Sequence, residues 1–237
     1  MLSIKDLSKT YKGGKTAVKN LSLEIETGDI YGFIGQNGAG KTTTIKCVTG
    51  ILPFEEGEIL IDGHSIKKEP VKCKESFAYI PDNPDIYGFM TGIAYINFIA
   101  DVFCVPKDER EKRVEHYAKE FGIYSSLADR ADTYSHGMKQ KLVIISALIH
   151  KPKLLILDEP FVGLDPEAAY NLKQILKAHC EEGGAVFFST HVLDVAEKLC
   201  NKIAVIKNGE LKVAGLTREV CADESLEQFF LELNAHE

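Results

Sequence analysis

An α/β fold with a mostly parallel sheet is predicted for this chain of 237 residues, and three observations predict it. Two apolar runs of strand length, Asp29–Ile34 and Leu154–Leu157, each stop at a polar segment fit to meet a ligand. The first is followed by the glycine-rich Gly35–Thr42, the second by Asp158-Glu159-Pro160. Further apolar runs at Ala185–Thr190 and Lys202–Ile206 alternate with helix-length segments at Pro166–Cys180 and Val192–Cys200, the order of parallel strands joined by helices. Third, the block from Thr91 to Ile149 carries helical spacing and no strand pattern, so it reads as a helical insertion between strand-bearing flanks.

In chain order, Leu21, Leu23 and Ile25 alternate with Ser22, Glu24 and Glu26, the period of a half-buried strand, and Thr27-Gly28-Asp29 is a turn. Tyr11 lies just upstream; an aromatic there could stack on an adenine ring, although a core or surface tyrosine fits as well. Asp29–Ile34 then reads as a buried strand, and Gly35-Gln36-Asn37-Gly38-Ala39-Gly40-Lys41-Thr42 follows the phosphate-loop pattern of Gly, four residues, Gly, Lys, Ser/Thr. Its glycines let backbone N–H groups turn inward around a phosphate chain. The helix predicted over Thr42–Val48, with Thr43 in its first turn, adds the positive end of its dipole. Lys41 would reach the β- and γ-phosphates and Thr42 would hold Mg²⁺. No third glycine follows Gly40, so this is not a dinucleotide fingerprint. The run Leu154–Leu157 is apolar throughout, as in a buried parallel strand. It ends where open α/β sheets bind ligands, with Asp158 suited to the Mg²⁺ shell and Glu159 to orienting or deprotonating water. A strand followed by a solvated acidic turn is the bland alternative.

Between these motifs, Pro53–Gly57 is a loop, Gly57–Gly63 a short strand with its turn, and Phe77–Ile80 another strand. Pro81-Asp82-Asn83-Pro84-Asp85 breaks regular structure. In the helical block Ile93, Ile96, Phe98, Ile99 and Phe103 form a broad apolar face, and Asp108–Phe121 is a charged helix with Val114, Tyr117, Ala118 and Phe121 inward. The tail Ser225–Leu233 reads as a short amphipathic helix.

Composition is that of a globular protein, with 45% hydrophobic and 27% charged residues. The formal charge of −7 disfavours a general nucleic-acid-binding surface, so no nucleic-acid partner is expected. The six cysteines include no C-x₂-C pair and read as reduced thiols of a cytosolic protein. The N-terminus has no signal-peptide pattern. The longest apolar stretch, near Leu142–Ile149, is far short of a span of ~20 residues.

Tyr134-Ser135-His136-Gly137-Met138-Lys139-Gln140, taken with the motifs on either side, resembles the ATP-binding-cassette (ABC) ATPases over nearly the whole chain. The resemblance implies a P-loop NTPase core with an N-terminal antiparallel β subdomain and an inserted helical subdomain. It forms a single domain over residues 1–237: core and β subdomain from 1–83 and 151–215, helical signature subdomain 84–150, C-terminal helical tail 216–237. In that family a Leu-Ser-Gly-Gly-Gln signature opens a helix and grips the γ-phosphate bound to the other subunit; Ser135 and Gly137 match its serine and second glycine, while Tyr134, His136 and Met138 depart from it. Gly163-Leu164-Asp165 is similar to the loop that crosses the dimer interface, His191 to the switch histidine that contacts the γ-phosphate, and Tyr11 to the adenine-stacking aromatic. Where the family carries a metal- and water-sensing glutamine, after Tyr79-Ile80-Pro81, this chain has Asp82, which keeps an oxygen for Mg²⁺ but donates no hydrogen bond.

What the resemblance implies is an Mg²⁺-dependent ATPase that closes as a dimer on ATP, homodimeric since all site positions are present, with Glu159, His191 and Lys41 catalytic. It would be peripheral on the cytoplasmic face of the membrane, beneath a separately encoded permease, powering export. Two other readings stay open: a soluble ABC ATPase acting on ribosomes or DNA, and a regulatory module that closes on ATP and hydrolyses it weakly.

Overall fold

The computed structural model describes residues 1–221 and 225–235, and side chains to residue 231. The chain opens with β1 (Leu2–Thr10) and β2 (Thr16–Ile25), then β3 (Ile30–Ile34), the glycine loop and α1 (Lys41–Val48). Next come β4 (Glu56–Ile61), β5 (His64–Ser65), α2 (Pro70–Ser76) and β6 (Phe77–Ile80). The helical block holds α3 (Gly92–Val102), α4 (Lys107–Glu120) and α5 (His136–Leu148), with two single 3₁₀ turns between α4 and α5. The core resumes with β7 (Leu154–Asp158), α6 (Pro166–Glu181), β8 (Ala185–Thr190), α7 (Leu193–Leu199), β9 (Lys202–Lys207) and β10 (Glu210–Leu216). The chain continues with α8 (Thr217–Cys221) and α9 (Leu226–Ala235).

Two sheets form. An antiparallel one runs β2-β1-β4-β5 and a second runs β10-β9-β3-β8-β7-β6, parallel except for the β9–β10 hairpin. The alternation at Leu21, Leu23 and Ile25 does bury one face of β2. On β1 the buried positions are Leu2, Ile4 and then Leu7, an odd step. An irregularity in pairing with β2 falls between Ile4 and Leu7 and adds the extra residue. Asp6 sits there at φ 50, its N–H donating to Ser22 Oγ at 2.8 Å.

The parallel strands β3, β7 and β8 are buried along their whole length because both sheet faces are covered. Odd and even residues enter two cores. Leu155, Leu157, Val186 and Phe188 pack with the helices, whereas Leu154, Ile156, Phe187 and Phe33 pack with the antiparallel sheet and α1. One layer of helices and one of strands therefore clamp the parallel sheet and leave its C-terminal edge to carry loops. In the helical block Ile96, Ala100, Val114, Ala118 and Phe121 are buried, and α5 is buried from Leu142 to Leu148.

Phe98 corrects the expected apolar face of α3: it is 43% exposed and meets Tyr87 edge-on at 6.0 Å between ring centres. Tyr87 and Phe89, which precede α3, are exposed beside it. All six cysteines are free thiols. Among the described residues no helix is long and apolar enough to cross a membrane. Helix α9 docks through buried Leu226 and half-buried Phe229 and Phe230.

Candidate functional site

Four adjacent parallel strands bring the sequence motifs to one edge. In the order β3-β8-β7-β6, their C-terminal ends carry in turn the glycine loop, His191, Asp158 with Glu159, and Asp82. The register of β6 on β7 pairs Ile80 with Leu157; Asp82 and Glu159 each follow that pair by two residues, and both line the same cleft. The cleft they border has a volume of about 240 Å³ and is lined by Tyr11, Lys15, Ala17, Gln36, Asn37, Gly38, Gly40, Lys41, Thr42, Thr43, Asp82 and Glu159. Larger cavities lie elsewhere, one of about 610 Å³ between α3 and α4 among them, but without this concentration of phosphate-binding chemistry.

The loop's shape comes from backbone that only glycine tolerates well. Gly40 caps α1 at φ 115, and a Cβ there would stand 2.5 Å from the Ala17 carbonyl oxygen. Gly35 packs equally close to the Ile206 carbonyl, which anchors the loop's start against β9, and Ala39 is buried behind it. Lys41 opens α1, and its side chain is 6% exposed. It donates to the carbonyls of Gly35 at 2.7 Å and Gln36 at 3.3 Å and faces Glu159 Oε1 at 3.4 Å.

Glu159 leaves β7 at φ 50, a left-handed conformation uncommon outside glycine. Its N–H donates to the Ser189 backbone and side-chain oxygens, both at 3.2 Å. Its carboxylate joins Lys41 to the Nδ1 of His191 at 3.0 Å, with the His191 backbone N–H at 3.4 Å. Asp158 lies beneath, 1% exposed, accepting from Ser189 Oγ at 2.5 Å, with the Thr42 side chain close by. Burial pushes its carboxyl up from the ordinary range, the Ser189 and Thr42 hydroxyls oppose that shift, and the charges of Asp82 and Glu159 add to it. A buried carboxylate next to a threonine hydroxyl is a set of hard oxygen donors, and it fits Mg²⁺ shared with a phosphate chain.

Tyr11 is half-exposed at the other end of the cleft, and its hydroxyl lies 3.1 Å from Thr43 Oγ1. The ring platform is thus tied to the phosphate loop's helix. Ser135 and Gly137 are not among the cleft residues of their own chain. Ser135 caps α5, accepting from the Met138 N–H at 3.3 Å. The neighbouring His136 ring packs on Gly163, a Cβ on Gly137 would stand 2.8 Å from the Gly163 carbonyl oxygen, and Lys141 pairs with Asp165 at 2.6 Å. The Ser135 segment and the Gly163-Leu164-Asp165 loop therefore form one surface unit. Lys15 in the cleft and Ser189 under Asp158 escaped the sequence reading. Lys15 closes a Gly13-Gly14 turn with no motif around it, and the only signal at Ser189 is a polar residue ending a buried strand.

Residues 18–162 match the family model described as ABC transporter. The ABC-type transporter ATP-binding protein EcsA of Bacillus subtilis (strain 168) is 35% identical over 238 residues, covering 98% of this chain and 96% of that protein. The linearmycin resistance ATP-binding protein LnrL of the same organism is 34% identical over 94% of this chain and 71% of its own length. A solved structure described as the ATP binding subunit of an ABC transporter superposes with a TM-score of 0.94 at 32% identity, covering 99% of both chains.

Proposed function

Because this chain belongs to the family of ABC transporter ATP-binding proteins, we propose that it hydrolyses ATP as a dimer and powers a separate membrane permease, in the direction of export. The observation that carries this reading is the split of the chemistry. Lys41, Thr42, Asp158, Glu159 and His191 converge on one cleft, while Ser135 and Gly137 lie outside its lining, Ser135 exposed on the surface of the same chain. Two copies, each presenting its Ser135 segment to the other's cleft, complete two sites.

In this mechanism the N–H groups of Gly38–Thr42 and the α1 dipole hold the phosphates. Lys41 turns from Glu159 to the terminal phosphate and stabilises its developing charge. Mg²⁺ held by Thr42 and Asp158 would supply charge neutralisation on the phosphate oxygens. The carboxylate of Glu159, released from Lys41, accepts the proton of the attacking water, and His191 keeps that carboxylate oriented. Ser135 and Gly137 of the second copy bind the terminal phosphate, so its loss on hydrolysis removes the contact that holds the dimer shut.

Tyr11 supplies a stacking face for the adenine. Tyr11→Ala is expected to weaken ATP by about 1–3 kcal/mol and to leave tripolyphosphate unaffected, both read by calorimetric titration. Equal loss for both ligands would place Tyr11 in the loop's architecture instead.

Two further features support a membrane partner. The exposed aromatics Tyr87, Phe89 and Phe98 cluster through Tyr87 with Tyr95, which lines a groove of about 360 Å³ together with Ile51, Tyr79 and Pro81, a surface fit for a short helix of a permease. The relative LnrL is named for resistance to linearmycin, which agrees with export. The test is affinity purification of tagged Glu159→Gln protein from detergent-solubilised native membranes with ATP present. A stoichiometric polytopic membrane protein is expected; recovery with ribosomes or nucleic acid alone would overturn the transporter reading.

A further inference from the structure

The charges around the phosphate cleft do not balance. Asp82 and Glu159 line it, and Asp158 lies beneath them, bonded to Ser189 Oγ. Against these three carboxylates stand two ammonium groups, Lys15 at the exposed rim and Lys41 within. Lys41 is already committed to two backbone carbonyls and to Glu159. Glu159 and Asp158 each have hydrogen-bonding partners that hold them in place, so their charges belong to the resting architecture. Asp82 differs: it is exposed on the cleft wall, and among the described residues no hydrogen bond or ion pair holds its carboxylate. It nevertheless lines the same cleft as Glu159, and its charge is felt at Asp158 and at Tyr79.

We propose that Asp82 makes this cleft selective for a nucleoside triphosphate complexed with a divalent cation over the metal-free triphosphate. The inference rests on the ATP-binding reading above. A metal-free triphosphate brings several negative charges toward a wall that already carries an unpaired one. A cation on the phosphates reverses that interaction, because the Asp82 carboxylate then faces positive charge through one layer of water or directly. The same residue thus penalises one form of the ligand and favours the other. Asp82 is solvent-exposed, so the effect is screened, and one unit charge at this range is worth about tenfold in affinity.

The experiment measures the dissociation constant of ATP for the full chain, in excess Mg²⁺ and in excess EDTA at one ionic strength, for the wild type and Asp82→Asn. The ratio of the two constants is expected to shrink about tenfold in the variant, chiefly through tighter binding of metal-free ATP. Asp82→Ser, a second neutral replacement of different shape, is expected to shrink it equally. An unchanged ratio overturns the proposal, including the case in which both constants rise together, since that marks a residue that only shapes the loop. A wild-type chain that binds ATP in neither condition overturns the nucleotide reading itself, and this proposal with it. Thermal melting of each variant separates misfolding from an altered cleft.

Discussion

A Glu159→Gln variant is expected to bind ATP, hold the dimer closed and lose ~10²–10⁴-fold of its turnover, the range for removing a positioned general base. The geometry makes this substitution clean. The Glu159 side chain is only 11% exposed and sits between the Lys41 ammonium and the His191 ring. A glutamine of the same shape keeps one oxygen where Oε1 meets Lys41 and the His191 Nδ1, so the pocket stays filled. What it cannot do is accept a proton from water. Its neutral amide also competes less with phosphate for Lys41, so nucleotide affinity should rise or hold. Phosphate release at saturating ATP reads the first effect, and the elution volume in ATP reads the second. Turnover within a few-fold of wild type would remove Glu159 from the chemistry.

Lys41→Ala is expected to be severe for a different reason. The Lys41 side chain is buried and lines the cleft beside Glu159, where the proposed mechanism puts the phosphates. Removing one such electrostatic donor costs ~10²–10³-fold in rate. Here the loss is compounded because Glu159 keeps its negative charge with no ammonium beside it. The phosphates then enter against that charge, so binding should fail before chemistry is reached. Calorimetric titration with ATP checks this, with thermal unfolding measured alongside because a buried partner has been removed. Hydrolysis that survives unchanged would refute the phosphate-loop reading.

These two expectations differ in where they were legible. The Lys41 environment was readable locally: a strand, a glycine-rich turn and a helix start lie within fifteen residues, and short-range sterics decide their shape. The same holds for β7, β8 and β9, whose apolar runs are buried over the lengths expected. The Phe98 side chain was misassigned because helical periodicity says which residues share a face but not how much of that face a neighbour covers. The first strand's bulge at Asp6 and the hairpin strand β10 left no periodic trace, since an irregular register erases the alternation that marks a strand.

By itself the sequence marked the candidate carriers of the proposed chemistry: the glycine-rich loop, the paired carboxylates, His191 and the Ser135 segment. Each is a short pattern whose backbone and side-chain needs are met by near neighbours. Only the tertiary structure decided which of them meet. Strand order β3-β8-β7-β6 joins Lys41, His191, Glu159 and Asp82 at one edge across more than a hundred residues of chain, and leaves Ser135 outside their cleft. That order follows from which apolar faces bury against which, a long-range competition in which every strand's two faces must be covered at once. No local window contains the answer.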